Sequence, residues 1–275
     1  LRYSNPAKTV ALTIVTVCYE DPDGVAETLA SIQRQVGYEM PIEIIVIDGS
    51  LDERTRLNFL EFADRWPSQM ATLISESDDG VYDAMNKGTE AAAGRYVQYL
   101  NSGDSLLDSG AFARLENEFA RSPEWIVSGA MHAMGTGIPQ RPIRNIPHRR
   151  LRHIFGIQPH CHQACWFRTD LVRMLGGYDP TFGFVADFDL VARFSEINSP
   201  LQISNFLVLY EGGGISANNG LEIPDRIAKV RQIRLYGDLP LLISIDRMFV
   251  RMQKSKRSSI STLKGRITRT RNLFR

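Results

Sequence analysis

Four short segments place acids, hydroxyls and amides directly after apolar runs: Thr16-Val17-Cys18-Tyr19, Asp48-Gly49-Ser50, Glu76-Ser77-Asp78-Asp79-Gly80 and Asn101-Ser102-Gly103-Asp104. Three of the four carry acids. A row of carboxylates repels a bare phosphate, so such a rim has two uses. It holds a divalent cation that bridges to phosphate oxygens, or it accepts hydrogen bonds from sugar hydroxyls and base N–H groups. Both describe a nucleotide-sugar. A hard cation such as Mg²⁺ needs only one or two carboxylates when diphosphate oxygens and water complete its shell, and Asp104 is placed to begin such a site. Each acid also has a purely structural use as a helix N-cap or turn residue. That reading suffices for Asp108; for Asp48 and Asp104 both stand open on the residues alone.

The elements that must position these residues follow from hydrophobic periodicity. Apolar runs rich in β-branched residues (10–17, 42–47, 71–74, 96–100, 125–131) alternate with segments of helical period (24–36, 53–66, 81–93, 109–120). This order predicts repeated β-α-β units and a largely parallel sheet covered on both faces, whose ligands gather at the carboxyl ends of the strands. With 275 residues, 43% of them hydrophobic, the chain can build a sizeable core. The longest apolar runs fall short of the roughly 20 residues that span a bilayer, and no leader-like segment opens the sequence, so cytosolic residence is expected.

Several other chemistries fit poorly. A dinucleotide oxidoreductase needs Gly-x-Gly-x-x-Gly after the first strand, where Cys18-Tyr19-Glu20-Asp21 stands. A phosphatase would need Asp187-Phe188-Asp189 directly after a buried strand, and Gly183-Phe184-Val185-Ala186 is a poor one. A nucleotide-sugar pyrophosphorylase would open with a glycine-rich basic loop, also missing after the first strand. The cysteines Cys18, Cys161 and Cys165 are too few for a disulfide framework. His160-Cys161-His162-Gln163-Ala164-Cys165 lacks the second ligand pair of a structural zinc site and is read as a strand with alternating faces.

Taken in order, Thr13 to Tyr19, Ile45 to Ser50, Asp79 to Gly88 and Gly94 to Asp104 resemble the donor-side motifs of family 2 glycosyltransferases. His162-Gln163, Gly176-Gly177-Tyr178-Asp179, Ala186 to Leu190 and Gly213-Gly214-Ile215-Ser216 resemble the acceptor-side motifs of the same family. The match covers residues 9–220. It implies an α/β GT-A fold: a mostly parallel central sheet flanked by helices, with a Rossmann-like nucleotide-binding half (about 9–133) and an acceptor half (about 134–220). It also implies inverting transfer of a sugar from a nucleoside diphosphate donor to a hydroxyl of a saccharide or lipid-linked acceptor, as in polysaccharide or glycolipid biosynthesis. In the matching positions Asp48 would bind the base, with Thr16 and Tyr19 lining its pocket. Asp79 would lie beside the nucleoside or donor sugar, and Asn86 and Asn101 join the donor side. Asp104 would coordinate Mg²⁺ or Mn²⁺ against the diphosphate, and Asp187 would be the general base. Two positions depart from the family pattern: Ser102-Gly103-Asp104 carries one acid where many relatives have two, and Ala186-Asp187 replaces Glu-Asp. These departures keep an alternative in view, an inactive saccharide-binding or scaffold relative at the membrane.

Asp187 and Asp189 are two residues apart, so a helix starting there sets them on different faces, and Asp189 is expected to brace a neighbouring basic residue. Residues 247–275 hold ten basic residues and no acid, which leaves 22 basic against 31 acidic residues on the rest. A basic end on an acidic body points to an anionic surface as partner. Before it, Leu241, Leu242, Ile245, Met248, Phe249 and Met252 fall at helical spacing with Ser244, Arg247, Arg251 and Lys254 opposite, the pattern of an interfacial membrane helix, or else of a stripe docked on the protein's own core with a solvated tail. Residues 221–275 are therefore read as a helical, polybasic extension touching the inner face of the cell membrane; nucleic acid is not expected, since no recognition motif is present. A second basic stretch, Arg141 to His153, is expected as a solvated loop, with closure over diphosphate or acceptor as its functional reading.

Overall fold

The structure is a computed structural model that describes residues 10–50, 52–66, 70–213 and 219–255. Strand β1 (Leu12–Cys18) is buried along its whole length and lies between β2 (Ile42–Asp48) and β4 (Tyr96–Tyr99), both parallel to it; β3 (Ala71–Ser75) extends the parallel set beyond β2. Strands covered on both faces have no solvent side to make polar, which is why they read as continuous apolar runs.

Beyond β4 the sheet changes character. β8 (Cys165–Arg168) is antiparallel to β4 and to β6 (Trp125–His132), and β9 (Leu201–Tyr210) runs parallel to β6. The short β5 (Ser105–Leu106) pairs with β9, and β7 (Arg141–Ile143) pairs with β6, giving the order β3-β2-β1-β4-β8-β6-β9-β5 with β7 off the path.

Helices cover both faces, and strand alternation divides the core between them. On one face α1 (Pro22–Gln33), α2 (Glu53–Arg65) and α4 (Ala111–Phe119) pack Leu29, Phe62 and Phe112 against Ile14, Ile44 and Trp166. On the other, α3 (Val81–Ala91), α6 (Thr169–Met174) and α7 (Ala186–Ile197) pack Met85, Val172 and Phe194 against Val15, Ile45 and Phe167. The helices after the first two strands start on acids: Asp21 accepts from Gly24 N, and Asp52 accepts from Arg54 N. Helix α3 starts instead at Gly80, whose φ of 106° favours glycine.

Two expectations are corrected, and the C-terminal stripe is taken up below. Residues 160–165 are not a continuous strand: His162–Ala164 form a 3₁₀ turn, closed by Ala164 N to Cys161 O, and β8 begins only at Cys165. The basic stretch 141–153 is not a loop, because β7 joins the sheet and α5 (Arg150–Ile154) packs beneath α7. Past the Gly212–Gly213 turn the chain is helical, with α8 (Ile223–Arg231), a π turn (Gln232–Tyr236) and α9 over 240–255. Gly214-Ile215-Ser216 and the basic residues 256–275 lie outside the described residues.

Candidate active site

At the carboxyl end of β4 a cleft of about 640 Å³ opens across to the start of α7. Asn101, Asp104 and Asp187 line it, together with Asp21, Tyr82, His132, Arg141, His162, Gln163, Tyr210 and Glu211. The fold produces this meeting: Asn101 and Asp104 form a turn in which Asp104 N donates to Asn101 O, and Thr28 of α1 pins both backbone carbonyls with its hydroxyl at 3.1 and 2.7 Å. Gly103 has φ 83°, a conformation a side chain would strain, so glycine belongs in this turn.

Asp104 is 4% exposed, and burial pushes its carboxyl up to about 7 despite bonds from Glu211 N at 3.0 Å and from the Gln163 side chain. A nearly buried carboxyl of this kind is short of positive charge. Beside it, the buried Oδ1 of Asn101 has no protein partner. Two oxygen donors on one turn, one under-compensated and one unpartnered, fit a hard divalent cation whose remaining ligands come from diphosphate and water. Among the described residues no group of three His, Cys, Asp or Glu side chains could hold a metal without such help.

Asp187 sits in the first turn of α7 and receives two hydrogen bonds on the same oxygen, Oδ1: one from Phe188 N at 2.8 Å and one from the Tyr82 hydroxyl at 3.3 Å. Asp189, two residues on, is fully buried and pairs with Arg193 and Arg234, each at 2.8 Å, as a brace rather than a site residue. The Tyr82 ring lies against Tyr178, whose hydroxyl meets Nδ1 of His162 at 3.2 Å. Burial lowers the pKa of His162 while Asp187 opposes that shift. Arg141 and His132 bring basic groups to the cleft, and Gly212 passes so close to His132 that a Cβ there would fall 2.3 Å from Nε2.

The remaining expected residues are not on this cleft. Asp48 ends β2, two strands from β4, and is 1% exposed; its Oδ1 accepts from Ser50 N and Oγ, and its Oδ2 from Asp52 N, so it staples its own loop. Tyr19 is 70% exposed beside that loop: a Cβ on Gly49 would lie 3.6 Å from Tyr19 Cδ2 and 2.6 Å from Asp78 Oδ2. Asp79 is exposed in the same region. Its neighbour Asp78 is held by Lys87, which also reaches Glu76 and Asp83, and these bonds raise the lysine's pKa.

Two assignments change. Thr16 cannot line a pocket wall, because it is fully buried inside β1; its hydroxyl has no partner there. Asn86 is a clamp: its Nδ2 donates to Tyr178 O at 2.9 Å and its Oδ1 accepts from Tyr178 N at 2.8 Å, fixing the Gly177-Tyr178 turn instead of facing a donor. Glu211 escapes sequence reasoning, and Tyr82 and Gln163, though inside the sequence motifs, gain their roles only through long-range packing onto Asp187 and Asp104.

In a mixed α/β sheet, a cleft at the carboxyl edge of the parallel strands is the place where enzymes of this architecture bind their ligands. The family model described as Glycosyl transferase family 2 matches residues 13–173. The chain belongs to that family and is a glycosyltransferase. It is 29% identical over 231 residues to the uncharacterized glycosyltransferase Rv1514c of Mycobacterium tuberculosis H37Rv, covering 83% of each chain. A PGL/p-HBAD biosynthesis glycosyltransferase of Mycobacterium bovis BCG is 25% identical over 197 residues, 68% of this chain and 72% of that one. Among solved structures, Staphylococcus aureus TarS 1–349 in complex with UDP superposes with a TM-score of 0.63 at 14% identity, over 88% of this chain and 70% of that one. The mannosyltransferase PcManGT of Pyrobaculum calidifontis, in complex with GDP-Man and Mn²⁺, gives 0.61 at 15% identity, over 90% and 71%. These likenesses establish the GT-A fold.

Proposed function

We propose that this glycosyltransferase moves a sugar, with inversion, from a nucleoside diphosphate-sugar to a hydroxyl of a saccharide or lipid-linked acceptor in cell-surface polysaccharide or glycolipid assembly. The observation that carries the reading is that Asp104, Asn101 and Asp187 all line one cleft in a GT-A fold. The names of the mycobacterial relative in PGL/p-HBAD biosynthesis and of the UDP and GDP-Man complexes support the acceptor and donor classes.

In this reading the diphosphate lies against Asn101 and Asp104, with Arg141 as a further counter-charge and His132 as a hydrogen-bonding neighbour. Mg²⁺ or Mn²⁺ held by Asp104 would neutralise charge on the departing diphosphate as a Lewis acid. Tyr19 and Asp79, exposed beside the loop that Asp48 staples, hold the base and ribose end, beyond the cleft. Asp187 takes the acceptor hydroxyl's proton as that oxygen bonds to the anomeric carbon and the carbon–oxygen bond to diphosphate breaks, its electron pair leaving with the nucleotide. Tyr82 and Phe188 N hold Oδ1, so Oδ2 is the oxygen presented to the acceptor. Residues 1–220 form the transferase and 221–275 an extension that places it on the inner face of the membrane as a peripheral protein; no described helix is long and apolar enough to cross one.

The test is nucleotide release from a panel of nucleoside diphosphate-sugars with Mn²⁺ and candidate acceptors. Asp187→Asn is expected to lower kcat by about 10³-fold, the size of a general-base contribution, with donor affinity within about threefold of wild type. Turnover unaffected by Asp187→Asn contradicts the assignment.

A further inference from the structure

The surface of α9 is inverted relative to an ordinary docked helix. An amphipathic helix on a globular body turns its apolar stripe inward. Here the inward side carries Asp246, Val250 and Gln253: Asp246 is 6% exposed and takes the Arg231 guanidinium and the Tyr236 hydroxyl, while Gln253 donates to Phe155 O. Phe249 meets Phe155 edge-on at 5.4 Å. Leu241, Ile245, Met248 and Met252 face out, with exposures of 72, 51, 60 and 53%. At 100° per residue these four fall within about 60° of one another, a ridge about 16 Å long at 1.5 Å per residue. Arg247 and Arg251 flank it on one side. The acid nearest to the ridge, Asp246, is neutralised internally by Arg231.

An exposed apolar ridge held rigidly from behind, edged by arginine and followed in sequence by eight more basic residues and no acid, matches an anionic lipid surface. We infer that the outer face of α9 is an insertion ridge that enters the headgroup boundary of an anionic bilayer through Leu241, Ile245, Met248 and Met252. This rests on the membrane-contact part of the reading above and locates it on described residues. The same geometry orients the enzyme. Helix α8 contributes Ile223 and Ile227 to the wall of the cleft and Arg231 to the lock on α9, so a bilayer that takes the ridge fixes the acceptor side of the cleft relative to its surface. A glycan acceptor carried on a lipid is thereby delivered at a set height.

Sedimentation of the full chain with vesicles of zwitterionic lipid, with and without an anionic lipid, tests the inference. Wild type is expected to bind the anionic vesicles and to weaken as salt rises. The triple variant Leu241→Ser, Ile245→Ser, Met248→Ser should bind at least about tenfold less at an unchanged melting temperature, since all three side chains are exposed. Separately, Met248→Trp should show a blue-shifted emission on anionic vesicles. If the triple variant binds like wild type while deletion of 256–275 abolishes binding, the ridge is refuted and membrane contact through the tail stands. If wild type binds no vesicles, both fall. Light scattering that shows a dimer broken by the serine substitutions, without vesicle binding, assigns the ridge to a second copy and also overturns the inference.

Discussion

Burial and bonding give Asp104 and Asp187 different work within one cleft. Asp104 is sealed at the base of a turn and pushed up to about 7 by desolvation, which suits a group whose charge is completed by a cation. Because its folded value lies above the unfolded carboxylate range, it binds its proton more tightly in the folded chain. Its contribution to stability in the absence of ligand falls as pH rises from about 4 to about 7. Asp187 is less buried and is oriented by Tyr82, a positioning residue. Tyr82→Phe removes one bond to Oδ1; kcat should fall about tenfold with KM changed less than about twofold. Unchanged kcat and KM would show that the 3.3 Å contact has no role in catalysis. The roles of Tyr82 and Glu211 were invisible in the sequence for a physical reason: each reaches its carboxylate across more than 100 residues of chain, and no local pattern encodes such a pairing.

At the scale of elements, the parallel half of the sheet was legible because strands covered on both faces are forced to be apolar throughout. The boundaries read from periodicity fall close to those of β1 to β4 and α1 to α4. The acceptor half was harder. The 141–153 segment looked like a solvated basic loop, yet it buries His153, and its His148 bonds at 2.9 Å to the buried His160 and packs against Trp125. Burial drives His153 down to about 4 and His160 well below its usual range. Depressed histidines contribute stability that is complete above pH 6.5 and is lost as pH falls toward 4, when the unfolded chain takes up protons that the folded one refuses. Thermal melts from pH 7.5 to 4.5 should therefore show a falling melting temperature below about 6.5, with a shallower slope in His160→Gln. A slope in His160→Gln equal to that of wild type would contradict the account.

For the whole molecule, the central claim is that the cleft lined by Asn101, Asp104 and Asp187 is a nucleoside diphosphate-sugar site completed by a divalent cation. The family likeness established the fold and the chemistry class; of the three acids expected in one cavity, Asp104 and Asp187 line the cleft and Asp48 does not. The same motifs misplaced Asn86 and Thr16, because a motif records which residues occur together and not whether a side chain faces the ligand or braces the loop beside it. The most direct measurement is calorimetric titration of nucleoside diphosphates with and without Mn²⁺, on wild type and Asp104→Asn, at pH 6 and pH 8. Wild type at pH 8 should bind one nucleoside diphosphate at least about tenfold more tightly with Mn²⁺. That gain should shrink by about tenfold at pH 6, where a proton competes for the carboxyl, and vanish in Asp104→Asn. Binding that ignores Mn²⁺, or an Asp104→Asn variant that keeps the full gain, would contradict it.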